Sequence, residues 1–231
     1  MIDTMSFSTI LRNIRDGNLK LQKLTDSYCD NYIIVYNAVS VNGLDLYYAS
    51  DRLKNNYDIV MTAIKQNGLA FLYVPEDMKK YKNIAYTAVA KNGYALAFLP
   101  YKFTLDRNIV LTAVKNDGDC LKYACEFLRN DFEIIDNAIN NDVMSIKYVS
   151  NKYKKNAYIV NKCINKNPLT ILFIDKIYQN NRKIYYKLKN LYFDRNIFRE
   201  YKILFNNYNF DYTFKYFNYR INSYINIILF F

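Results

Sequence analysis

The sequence predicts an all-α protein, an α-solenoid of about six 25-residue helix-turn-helix repeats with degenerate terminal caps. Three columns of residues carry that expectation. Ala38, Ala63, Ala88, Ala113, Ala138 and Cys163 recur at intervals of 25, each followed by a β-branched residue. Behind them run Asn42-Gly43, Asn67-Gly68, Asn92-Gly93 and Asp117-Gly118, weakening to Asp142-Val143 and Asn167-Pro168. An aromatic column of Tyr48, Tyr73, Phe98, Tyr123, Tyr148 and Phe173 has no exception. A sustained period of this length marks a stack in which no single unit can bury its apolar face alone.

The elements follow in chain order. Residues 1–25 read as a degenerate N-terminal cap repeat, because Ile10, Ile14, Asp16-Gly17 and Leu21 echo the columns with about one residue of slip. The regular repeats span residues 26–175. Each opens on Asn31, Asn56, Asp106, Asp131 or Asn156, whose side chains can accept from an orphan helix N–H, with Tyr81 the exception. Ile34, Val35, Ala38 and Val39, repeated as Ile59, Val60, Ala63 and Ile64, then form one stripe of a 3.6-residue helix. Ten residues of helix are roughly 15 Å long. The glycines are expected to end it in a left-handed conformation that has no Cβ clash.

A second helix carries Leu46, Tyr48, Ala49 and Leu53, with Phe71, Tyr73, Val74 and Met78 as its next copy. Pro75 and Pro100 predict a break within it and a short helical turn beyond, with proline at that turn's first position. The aromatic column borders the apolar stripe and is expected to fill the space between units while its hydroxyls reach solvent. Asn37, Thr62, Thr87, Thr112, Asn137 and Lys162 make a polar row beside the stripe. Such a row either bonds back to its own helix or lines a face. Residues 176–231 read as a basic, aromatic-rich degenerate C-terminal cap, and the absence of a Pro/Gly/Ser-rich linker predicts one elongated domain.

Ala113-Val114-Lys115-Asn116-Asp117-Gly118-Asp119-Cys120-Leu121-Lys122-Tyr123-Ala124, followed by Leu128-Arg129-Asn130-Asp131, resembles the helical repeat family known as "domain of unknown function 4116", whose unit is two such copies. The likeness covers residues 26 to 175 in its Ala-Val, Asn-Gly and Leu-x-Tyr-Ala columns. It departs at the proline positions and after residue 140, where the glycine is lost. The family brings no assigned activity and no site residues. It implies an origin among large DNA viruses of protists or bacteria living within amoebae.

With 52% apolar residues the chain has ample material for a core. Its 25 Tyr and abundant Asn, Lys and Ile fit an AT-rich genome, so composition alone is no functional signal. Cys29, Cys120, Cys125 and Cys163 show no CxxC spacing, which favours free thiols and an intracellular, cytoplasmic protein. Cys163, in a small apolar column, is expected to be buried and inert. The N-terminus lacks the pattern of a secretory signal, and no stretch approaches the ~20 apolar residues of a membrane span.

No His is present, so the commonest general base and zinc ligand are missing. Nucleotide-loop, GxGxxG and GxSxG motifs are absent as well. The acidic pairs Glu76-Asp77, Asp117 with Asp119, and Asp131 with Glu133 sit at expected helix starts and turns, where carboxylates have structural uses. No catalytic residue, cofactor or metal is therefore expected. The expected function is a non-enzymatic repeat scaffold for protein–protein interaction. The alternative is binding of single-stranded nucleic acid or an anionic surface by residues 176–231, which hold ten Lys or Arg against three acids, a net of +7 out of +11. There cations and rings interleave, with Lys183, Lys187, Lys202, Tyr216, Tyr219 and Arg220 as the candidate binding residues.

Overall fold

The structure, a computed structural model, describes residues 5–179. These are helical throughout, with no strand among them. The chain divides into two compact units, residues 1–154 and 155–231.

The first unit starts with α1 (Phe7–Arg15) and a single 3₁₀ turn at Leu21–Lys23, followed by α2 (Asp26–Cys29). The 25-residue pattern then takes over. Its ten-residue helices are α3 (Tyr32–Val41), and, past the short α4 (Asp51–Lys54), α5 (Tyr57–Gln66). After α6 (Glu76–Lys79) comes α7 (Lys82–Lys91), and after α8 (Tyr101–Thr104) comes α9 (Arg107–Asn116). A 3₁₀ turn at Leu128–Asn130 leads into α10 (Phe132–Asn141), and α11 (Asn151–Lys154) closes the unit. The second unit holds α12 (Ala157–Lys166), a 3₁₀ segment at Pro168–Leu172 and α13 (Lys176–Gln179).

Each long helix begins at the expected cap. Asn31, Asn56, Asp106 and Asp131 each accept from two backbone N–H groups of the first turn, and Asn156 accepts from Ile159. Tyr81 makes no such bond. Ten-residue helices are marginal alone, so packing holds them. Ile59, Val60, Ala63 and Ile64 are fully buried in α5, as are their equivalents through α10, and burial of each Ile or Val contributes roughly 2 kcal/mol. In the first unit α3, α5, α7, α9 and α10 pack in sequence, each on the next, and form one layer.

The second helix of each regular copy in the first unit is a six-residue 3₁₀ helix rather than an α-helix: Gly43–Tyr48, Gly68–Tyr73, Gly93–Phe98, Gly118–Tyr123 and Val143–Tyr148. With a rise near 2.0 Å per residue, six residues span about 12 Å, closer to the long helix they accompany than the ~9 Å of an α-helix. These segments form the second layer. Three residues per turn put Leu46 and Ala49 on one buried line and Asp45 on the next, which Tyr48 continues outward. The aromatic column thus lies at the rim of the core rather than within it, and Phe98 is 39% exposed. A break follows every 3₁₀ helix, with or without proline. Pro75 and Pro100 cap α6 and α8 in extended conformation, one position before the expected first helical residue.

The junction glycines require a correction. Gly43, Gly68, Gly93 and Gly118 do not adopt positive φ; only Gly17 does, at 73°. Asn or Asp before each glycine is extended, and its side chain caps the 3₁₀ helix, as Asn92 does by accepting from Tyr94 N–H at 3.0 Å. The glycine is needed for close approach. A Cβ on Gly93 would lie 2.5 Å from the Ala113 carbonyl oxygen, and at the other three it would fall nearer still to Ala63, Ala88 and Ala138. The glycine and alanine columns are therefore two sides of one contact between successive units.

Candidate functional site

A second set of contacts closes three of the four glycine junctions and was not apparent in the sequence. The last residue of a long helix reaches back one unit with its side-chain amide. Gln66 donates to the Val41 carbonyl at 2.8 Å and accepts from Gly43 N–H at 2.7 Å. Asn141 donates to Lys115 at 2.9 Å and accepts from Gly118 N–H at 2.9 Å, and Asn116 donates to Val89 and Ala90, both at 2.8 Å. These carbonyls are the orphans that any helix leaves at its C-terminus. Lys91 breaks the series, since an ammonium offers no acceptor to a glycine N–H.

The opposite, N-terminal edge of the helix layer is bound by ion pairs. Lys82 meets the Asp106 carboxylate at 2.5 Å, and Arg107 meets Asp131 at 2.8 Å and Glu133 at 2.5 Å. The Arg107 bonds hold the Asp131 carboxyl below its usual range, helped by the capped amides of Ile134 and Glu133. At Asp106 burial pushes upward, yet Lys82 and the capped amides outweigh it and the carboxyl is lowered. The acidic residues singled out in the sequence thus serve caps and pairs, and Glu76 and Asp77 bind Lys79 and Lys80 three residues on.

Two faces remain open. On the 3₁₀ layer the rings meet edge to face, Tyr47 on Tyr73 at 5.1 Å and Tyr94 on Tyr123 at 5.4 Å. Their lysines are already engaged: Lys122 lies over Tyr94 and Tyr123 while bonding Asp119, which also holds Lys147. On the helix layer the polar row bonds back to its own helices, at Asn37, Thr87, Thr112 and Asn137. Beside it Tyr36, Met61, Tyr86 and Leu111 form an apolar row in register, with Tyr36 40% and Tyr86 45% exposed. Between α3 and α5 this face deepens into an open hollow of about 370 Å³ lined by tyrosines, Met61, Asp58 and Lys65.

Among the described residues no three His, Cys, Asp or Glu approach closely enough to hold a metal. Burial pushes the Cys120 and Cys163 thiols up to about 12, and Cys29 is raised for the same reason, which makes all three poor nucleophiles. Asp45 is raised by burial and accepts from Leu21 N–H, which ties the degenerate first repeat to the stack. Lys183, Lys187, Lys202, Tyr216, Tyr219 and Arg220 lie outside the described residues. No described helix is long and apolar enough to cross a membrane.

The model of the family described as domain of unknown function (DUF4116) matches in four overlapping stretches, residues 31–79, 58–104, 81–129 and 106–154. Together they cover more than half of the chain. This chain belongs to that family. No curated protein and no solved structure matches it. Each stretch of the DUF4116 model spans two structural copies, so its unit contains one complete glycine–alanine junction with the helices on either side.

Proposed function

We propose that this DUF4116 chain is a non-enzymatic repeat scaffold that holds a protein partner along the exposed face of its long helices. The observation that carries this reading is the apolar row of Tyr36, Met61, Tyr86 and Leu111, which repeats once per unit and has no cover among the described residues. Repeated apolar positions on adjacent helices form the continuous surface that stacked repeats offer to partners. Thr87 and Thr112 on the same face bond back to their own helices and Lys82 pairs with Asp106, which favours a role in contact over one in chemistry.

The excess of basic charge in residues 176–231 supports a second reading, binding of nucleic acid or an anionic surface by that segment. Affinity purification of the full chain from its native cell, with and without nuclease, separates the two. The scaffold reading expects a protein partner retained after nuclease. Loss of every co-purifying species on nuclease treatment, together with loss of nucleic acid on charge reversal at Lys183, Lys187 and Lys202, would replace it with the second.

A further inference from the structure

We infer that Asn67 is the site of a spontaneous covalent modification, loss of its side-chain amide to give aspartate and isoaspartate at the Asn67-Gly68 junction. The sequence holds three Asn-Gly pairs, Asn42-Gly43, Asn67-Gly68 and Asn92-Gly93. In each, the glycine amide nitrogen can attack the preceding Asn Cγ, because glycine has no side chain to hinder the approach. The N–Cγ bond forms, the Cγ–Nδ2 bond breaks, and ammonia leaves with the proton of the glycine N–H, which closes a succinimide. One water then opens the ring at either carbonyl, giving an ordinary aspartate or a backbone that runs through the side chain. Neither step needs an enzyme or a redox partner, and neither depends on the scaffold reading.

The backbone does not separate the three pairs. Asn42, Asn67 and Asn92 are all extended, with ψ of 102°, 115° and 110°. Ring closure needs the Asn Cβ nearly eclipsed with the glycine nitrogen, so each junction must first open, and the more weakly tied junction opens more often. At Asn42 the ties are many: Gly43 N–H donates to Gln66 at 2.7 Å, and the Asn42 side-chain amide donates to Asp45 at 2.6 Å. At Asn92 the bridge is partial, since Asn116 donates to the Val89 and Ala90 carbonyls across the same junction. At Asn67 it is missing. Lys91 stands where the neighbouring units carry an amide, and among the described residues neither Gly68 N–H nor the Asn67 side-chain N–H groups find an acceptor. The cap bond from Leu69 N–H to Asn67, at 3.0 Å, is what remains. The two products differ in consequence. Asp117 already occupies the equivalent position before Gly118 and caps Asp119 N–H at 3.0 Å, so an aspartate at 67 keeps the junction. Isoaspartate adds a methylene to the backbone beside Gly68, where even a Cβ would collide with the Ala88 carbonyl, and it parts α5 from α7 at that point.

The test incubates the full chain at neutral pH and physiological temperature and follows each asparagine by peptide mass spectrometry. Cleavage after Lys and Arg places Asn42, Asn67 and Asn92 on separate peptides, and isoaspartate is told from aspartate by its fragment ions. The expected result is amide loss at Asn67 roughly fivefold or more faster than at Asn42, with Asn92 between them, fivefold being about the factor that one net hydrogen bond makes in an opening equilibrium. Lys91→Gln, which supplies the missing amide, should slow Asn67 by a similar factor and leave Asn42 unchanged. In concentrated urea, where no junction exists, the three sites should react alike. Equal rates in the folded chain, faster loss at Asn42, or no loss at Asn67 while the urea-unfolded chain reacts would overturn the proposal. So would a preference for Asn67 that persists in urea, which would place its cause in the sequence alone. Slowing of all three sites together by Lys91→Gln would also sink it, because that reports global stability rather than the local bridge.

Discussion

Lys91 is the one residue in its column, between Gln66 and Asn141, that cannot both donate to a helix-end carbonyl and accept from a glycine N–H. Restoring the amide with Lys91→Gln should stabilise the fold by about 1 kcal/mol, the net worth of a made hydrogen bond. Asn141→Ala should destabilise it by about 1 kcal/mol, because it removes the bonds to the Lys115 carbonyl and to the part-buried Gly118 N–H. Urea denaturation of both variants checks this, and a shift of the same sign in the two would refute the bridging role. At this scale the sequence was partly legible. The caps and buried stripe followed from residue type and period, since Asn, Asp and β-branched side chains have narrow local uses. The glycines were located but misjudged, as their cause is a carbonyl in the next unit and not their own backbone angles.

Among the elements, the long helices matched their apolar pattern closely, whereas the second helices proved to be 3₁₀. A six-residue segment presents too few turns for its period to separate 3.0 from 3.6 residues per turn. The N-terminal edge of the helix layer leads to a prediction about pH. The carboxyls of Asp131 and Asp106 are lowered in the folded chain, so their contribution is complete above the ordinary carboxylate pKa of about 4 and is lost as pH falls through the lowered values. Stability should hold from about pH 7 to 5 and decline below about 4. Arg107→Met removes the chief cause of the lowering at Asp131, so its decline should be shallower. Parallel acid limbs for the parent and this variant, read from urea midpoints across that range, would contradict the assignment.

For the whole molecule, the repeat block was legible because a column repeated at every unit averages out local ambiguity. The candidate face was less so. Tyr36, Met61, Tyr86 and Leu111 share a 25-residue column but vary in type, and the packed helices are what show the row left at the surface. The stack is built on one junction used repeatedly, in which a glycine of one unit touches an alanine carbonyl of the next. The direct measurement is urea denaturation of Gly68→Ala, Gly93→Ala and Gly118→Ala, each made singly, beside Gly17→Ala, whose added Cβ would have no neighbour nearer than Val41 at 4.0 Å. Each junction variant should lose about 1–3 kcal/mol by overpacking. Gly17→Ala should lose no more than the roughly 1–2 kcal/mol of a left-handed alanine. A junction variant as stable as the parent would contradict the interlocking of the units.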